Sequence, residues 1–394
     1  MRERESGWGS LRGWILPMRP RSPDEAHRAA TPLELFFDLV FVVAIAQAAV
    51  GLHHGIAEAH VFESIVSYLM VFFAIWLAWL NYTWFSSAYD VNDVPYRLII
   101  FLQLTGALIL AGGIYQAFEY GDFRIVATGY VVMRIAAVTL WLRVARHDIE
   151  RRSTALKYAI GIALIQIGWV TLIFGFGDAS WFMIGFGVLV LFELLNPYFA
   201  ERTTPTPWHP HHIKERYGLF TIIVLGESIL AASLGIQSAI TESGGLNLDI
   251  ALLIAGGLLI IFSLWWIYFD WPVDNPFDTL GHTFLWGYGH YFIFAAAAAV
   301  GAGLSVAIDY AQHHAEISAA GAGFAIAIPV ATYLGLLWLL HLHSYPGTTF
   351  QKSLTPITVA LILMAPFVGG PSALYIGLLL VALITSKLII RARG

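Results

Sequence analysis

The 394-residue chain contains no cysteine. Disulfides, thiolate metal sites and cysteine nucleophiles are therefore excluded. It is also short of charge: Asp, Glu, Lys and Arg make up 12% of residues against 58% hydrophobic ones. A soluble domain carries about 25% charged residues, so a surface built from this supply could not be hydrated all round. No GxxxxGK[ST] stretch is present, which removes a P-loop motor from consideration. The N-terminal 30 residues hold six Arg but no long apolar stretch ending at a small-residue cleavage site, so no cleaved signal peptide is expected.

What is abundant is apolar length. Mean hydropathy is +0.71, and run after run reaches the roughly 20 residues that cross a bilayer as a helix. Twelve spans are expected, near 33–51, 62–86, 97–117, 124–145, 155–175, 179–198, 216–238, 249–269, 284–307, 317–341, 353–369 and 371–390. The last two are short and separated only by "GGPSA", so ten spans and a re-entrant hairpin is the alternative count. With the N-terminus in the cytoplasm, all but two of the 21 basic residues fall on the cytoplasmic side, as the positive-inside rule requires. Arg124 falls outside and Arg134 within a span; Arg202, Lys214 and Arg216 are assigned to a cytoplasmic loop. The expected class is thus an all-α, polytopic bundle with both termini cytoplasmic. A basic segment 1–30 precedes two six-helix halves, 31–200 and 201–394. Similar aromatic spacing in "WLAWLNY" and "LWWIYFD" suggests that the halves are parallel repeats. Within the basic segment, "WGSLRGWILPM" has the makings of a stretch lying on the membrane surface.

Ionisable residues inside a bilayer cost about 2.5–3.5 kcal/mol each on the insertion scale, which makes them candidates for function. Glu34 has a local explanation: Thr31, Pro32 and Glu34 form a T-x-x-E capping box with proline at the first helical position. Asp38, one turn deeper on the same face, has none, and needs a cation, a polar partner or a proton. Glu227 in "LFTIIVLGESIL" lies near the midplane of the seventh span, and Arg134 at similar depth in the fourth, so the two could form an intramembrane pair. Glu193 in "FELLNPYF" sits where snorkelling could reach water. His290 in "GYGHYFIF" suits either a packing hydrogen bond or a proton relay. Trp79 and Trp266 read as members of aromatic belts. The fourteen His fall in scattered groups, "HPHH" at 209–212, "HHGIAEAH" at 53–60, His313-His314 and His341-x-His343, none with HExxH spacing. Neither a metal nor a cofactor is expected, and no catalytic residue is assigned.

Three stretches carry a resemblance: "TPLELFFDLVFVVAIAQ", "ERYGLFTIIVLGESIL" and "GHYFIFAAAAAVGAGL". Together they resemble the bacterial low temperature requirement A (LtrA) family, over about residues 30 to 390. The resemblance implies a multi-pass protein of the bacterial inner membrane, and no settled reaction. Glu34, Phe37, Asp38, Glu215, Gly218, Gly226, Glu227 and His290 match the family's motifs. The leading functional expectation is a secondary transporter or ion-coupled permease. It would work in the lipid bilayer on a small solute or ion, with no nucleic-acid partner. Asp38 and Glu227 would be proton or cation sites, and Arg134 the counter-charge. The alternatives are an integral-membrane enzyme acting on lipid or lipid-linked substrates, with Glu34 and Asp38 holding a divalent ion or acting as acid and base, and a membrane sensor or scaffold.

Overall fold

A computed structural model describes residues 14–22, 25, 28–243, 247–270, 277, 279–340 and 348–393. Residues 1–13 of the basic segment, and His341 and His343, lie outside the described residues. Those described form twelve α-helices and no strand: α1 Pro32–Ala57, α2 Val61–Tyr89, α3 Val94–Glu119, α4 Arg124–His147, α5 Arg152–Val170, α6 Phe182–Glu201, α7 Pro210–Ser243, α8 Leu248–Asp270, α9 Leu280–Ala311, α10 Ala319–Leu340, α11 Thr349–Val368 and α12 Ser372–Arg393. All twelve carry a stretch long and apolar enough to cross a membrane, so the count of twelve spans holds, including the weak last pair.

Local chemistry sets the helix starts. At α1 the Glu34 carboxylate accepts from the Thr31 N–H at 2.7 Å while the Glu34 N–H donates to the Thr31 hydroxyl at 3.3 Å, the reciprocal capping box the sequence announced. Asp93 caps α3 by accepting from Tyr96 N–H at 2.9 Å, and Thr348 with Gln351 repeats the box at α11. α5 ends in a π-helical turn over Thr171–Gly175.

The chain divides into two compact units, Met1–Ala44 with Leu77–Arg216, and Ile45–Trp76 with Tyr217–Gly394. In the first, α3 and α4 approach closely at Gly106 and Gly129. A Cβ on Gly129 would lie 2.4 Å from Leu110 N and 2.5 Å from the Gly106 carbonyl, so only glycine fits. α6 buries just Glu193, Ala200 and Glu201. Its apolar side chains, such as Ile184 at 72% exposed, face hydrocarbon, and polar groups hold it to its neighbours. In the second unit α9 is buried along most of its length, and its Gly303 lets the α10 backbone at Ala325 come into contact. Such small-residue contacts are how membrane helices pack when apolar burial drives nothing.

Candidate functional site

In the first unit, Glu34 and Asp38 lie four residues apart on α1, and His212 and Arg216 lie four apart in the first turns of α7. Each pair therefore stands on one helix face, and the two pairs meet. Arg216 Nη2 donates to Asp38 Oδ1 at 2.5 Å, and Arg216 Nη1 sits 3.2 Å from Glu34 Oε1. His212 Nε2 is also 3.2 Å from that oxygen, and Arg28 Nη2 is 3.4 Å from it. Arg28 in turn donates to the Ser86 carbonyl at 3.2 Å and faces Asp90 at 3.7 Å. Trp79 Nε1 donates to Asp38 Oδ1 at 2.8 Å. Glu34, Asp38, His212 and Arg216 are each 0% exposed.

This arrangement corrects two assignments. Arg216 is no loop residue: it lies inside α7, which begins at Pro210, and is completely buried. Burial is tolerable because two carboxylates converge on its guanidinium, whose planar fork can engage both. Trp79 is likewise buried, its ring N–H spent on Asp38 rather than at an interfacial belt.

Three carboxylates, Glu34, Asp38 and Asp90, meet the guanidiniums of Arg28 and Arg216, and Arg21, paired with Glu25 at 2.6 Å, also reaches Asp90 at 3.9 Å. Burial, and next the adjacent Glu34 carboxylate, push Asp90 above the usual carboxylate range against the pull of Arg28 and Arg21. Asp38 Oδ2 is buried and has no hydrogen-bond partner. A buried carboxylate oxygen without a donor is the natural place for a proton.

Arg134 takes Glu193 as its counter-ion, at 2.9 Å, and not Glu227. Tyr130 hydroxyl and Trp169 Nε1 complete the shell, Trp169 donating to Glu193 at 3.3 Å. Glu193 therefore does not reach for water; it is 3% exposed and pins α6 to α4 and α5. A cavity of about 20 Å³ lies among Phe37, Asn81, Tyr82, Gln103 and Arg134, room for about one water. The Tyr82 ring beside it also flanks Arg216, 5.6 Å from the guanidinium carbon.

In the second unit, His290 is buried, with Nδ1 2.7 Å from the Trp286 carbonyl on its own helix. Tyr217, Trp286 and Phe294 surround its ring, which is the packing arrangement of a histidine. Glu227 is half-buried on α7 and meets no ion-pair or hydrogen-bond partner among the described residues. Ser228 beside it donates to the Ala297 carbonyl at 3.0 Å, near the middle of α9, which fixes Glu227 at mid-helix depth. No group of three or more His, Asp or Glu placed to hold a metal occurs among the described residues.

A family profile described as "Bacterial low temperature requirement A protein (LtrA)" matches residues 29–388. The chain belongs to the LtrA family. Uncharacterized protein RA0937 of Rhizobium meliloti (strain 1021) is 26% identical over 312 residues, spanning 74% of this chain and 73% of that protein. No solved structure matches. For this LtrA protein, then, the arrangement of its buried charges is the most direct guide to chemistry. Arg28, Asp90 and His212 do not stand out in the sequence, and Trp79 and Arg216 read there as members of an aromatic belt and a loop. One signal was present: His212 and Arg216 share the four-residue spacing of Glu34 and Asp38.

Proposed function

We propose that this LtrA protein is a secondary transporter of the bacterial cytoplasmic membrane, with both termini cytoplasmic, and that its coupling ion is the proton. One observation carries the reading: Asp38 is completely buried and its Oδ2 has no donor. A metal cation is a poor fit there, because the Arg216 guanidinium already occupies the space between the two carboxylates. A proton on Asp38 would remove its charge and weaken its bond to Arg216. Arg216 would then be held by Glu34 alone, and the start of α7 would be released from the second turn of α1. Loss of that proton would re-form the pair. Such a bistable contact is what coupling requires: two arrangements of one element, biased by occupancy. Glu227, a half-buried carboxyl at mid-helix, is the second group suited to carry a proton.

The test is flux. Reconstitute the protein in liposomes, impose a pH gradient, and follow internal pH while a panel of cations, organic anions, amino acids and sugars is supplied. At least one solute should move with protons in wild type, and Asp38→Asn should abolish the coupling. Flux unchanged by Asp38→Asn, or no protein-dependent flux for any solute, defeats the proposal. Normal folding in Asp38→Asn with no flux in either protein would leave the cluster a structural staple.

A further inference from the structure

Within the second unit, α1, α2, α9 and α10 leave between them a groove of about 350 Å³. Its floor is made of small residues: Ala296 and Ala299 from α9, Gly321 and Ala325 from α10. The close approach at Gly303 and Ala325 brings the two backbones together and keeps that floor low. The rim is apolar and open, with Ile65 41%, Phe292 48% and Ile328 53% exposed. The polar tip of Tyr68, which also lines the groove, is already spent, its hydroxyl donating to the Ala295 carbonyl at 2.6 Å.

Two facts say what fills it. First, the four helices are membrane spans, so the rim is continuous with the lipid-facing surface and the medium against it is hydrocarbon. Second, the groove has the length of one leaflet. It starts beside the α1–α2 turn, at Ile56 and Val61, and reaches Pro329 and Thr332 on α10. Gly321 and Thr332 are eleven positions apart, about 16 Å along a helix. Half of a hydrocarbon core about 30 Å thick is about 15 Å. A groove running along the helices for about the length of one leaflet matches an extended acyl chain.

We propose that this groove binds one acyl chain of a membrane phospholipid, entering from the leaflet on the side of the α1–α2 turn. The site does not depend on the transport reading. It is tested with a phospholipid carrying a diazirine midway along one acyl chain, incorporated with the full-length protein into phosphatidylethanolamine–phosphatidylglycerol vesicles. After photolysis, labelled peptides are mapped by mass spectrometry. Helix α6, with Met183, Ile184 and Val188 turned to lipid, reports ordinary surface contact. Labelling of the groove segments of α9 and α10 should exceed that of α6 several-fold. Ala325→Phe, which fills the floor, should bring it down to the α6 level. Should Ala325→Phe fail to fold, Thr332→Trp obstructs the end of the groove away from the α1–α2 turn, from an exposed position. Equal labelling of groove and α6 in wild type overturns the proposal, as does undiminished labelling in the filled variant.

Discussion

Removal of the Arg216 guanidinium is the sharpest perturbation available. In Arg216→Met, a side chain of similar length, Asp38 keeps only the Trp79 N–H, and Glu34 keeps Arg28, His212 and its own capping bond. At an effective dielectric of about 20, a contact of 2.5 Å is worth roughly 6–7 kcal/mol of attraction and one of 3.2 Å about 5 kcal/mol. Desolvation of each buried ion opposes this by several kcal/mol, and breaking one side of a buried pair costs about 3–5 kcal/mol net. Arg216→Met should therefore lose about 3–5 kcal/mol of stability. Arg216→Lys should recover only part, because a single ammonium cannot serve two carboxylates as a fork does. The decisive variant is Arg216→Met with Asp38→Asn, which removes the stranded charge along with its partner. It should be more stable than Arg216→Met alone, with a coupling energy of about 2–3 kcal/mol. The assay is equilibrium unfolding in mixed micelles, followed by tryptophan fluorescence. If Arg216→Met lies within about 0.5 kcal/mol of wild type, or Asp38→Asn deepens its defect, the cluster is not the coupled charge network described here.

Four further tests probe other contacts. Trp79→Phe keeps an aromatic side chain but deletes the donor to Asp38 and part of the buried ring, so it should cost at least the roughly 1.5–3 kcal/mol of a hydrogen bond to a charged group; thermal unfolding would show it. Glu193→Leu strands Arg134 and frees α6, and because the chain has no cysteine a single Cys at Asn196 can report this as faster maleimide labelling. Gly129→Ala, where the new methyl meets backbone at 2.4 Å, should lose about 1–3 kcal/mol. Gly112→Ala, with nothing within 4 Å, should be neutral or gain up to about 1 kcal/mol from helix propensity; the reverse order would refute the packing. Finally, burial would raise the Asp93 carboxyl, but its bonds from Arg143, Leu16 N–H and Tyr96 N–H hold it below the ordinary range. A carboxylate lowered in this way stabilises above its unfolded value, about 3.9, and loses that contribution as pH falls through the lower folded one. Asp93→Asn should therefore cost about 1–2 kcal/mol at neutral pH and progressively less below about pH 4, measured by melting across pH.

Hydropathy determined the twelve spans, because a bilayer demands about 20 apolar residues per crossing whatever the neighbours do. Thr31, Pro32 and Glu34 announced the start of α1, since a cap is satisfied within four residues of chain. Asp38 could be picked out because its own helix gives its carboxylate no partner. Its partners could not. Arg216 reads as a loop charge when spans are found by hydropathy, and α7, carrying "HHIKER", has the lowest hydropathy of the twelve, 1.3. Trp79 and a belt tryptophan look alike in one dimension. Arg134 and Glu193 each stood out as costly, yet sequence distance favours no pairing, and only the packing of α4 against α5 and α6 chose Glu193 over Glu227. Composition and periodicity thus decided which residues must lie in the membrane and which of them needed a counter-charge. Tertiary structure decided which charges meet, because an ion pair depends on separations of a few ångströms between atoms that lie 178 residues apart at Asp38 and Arg216.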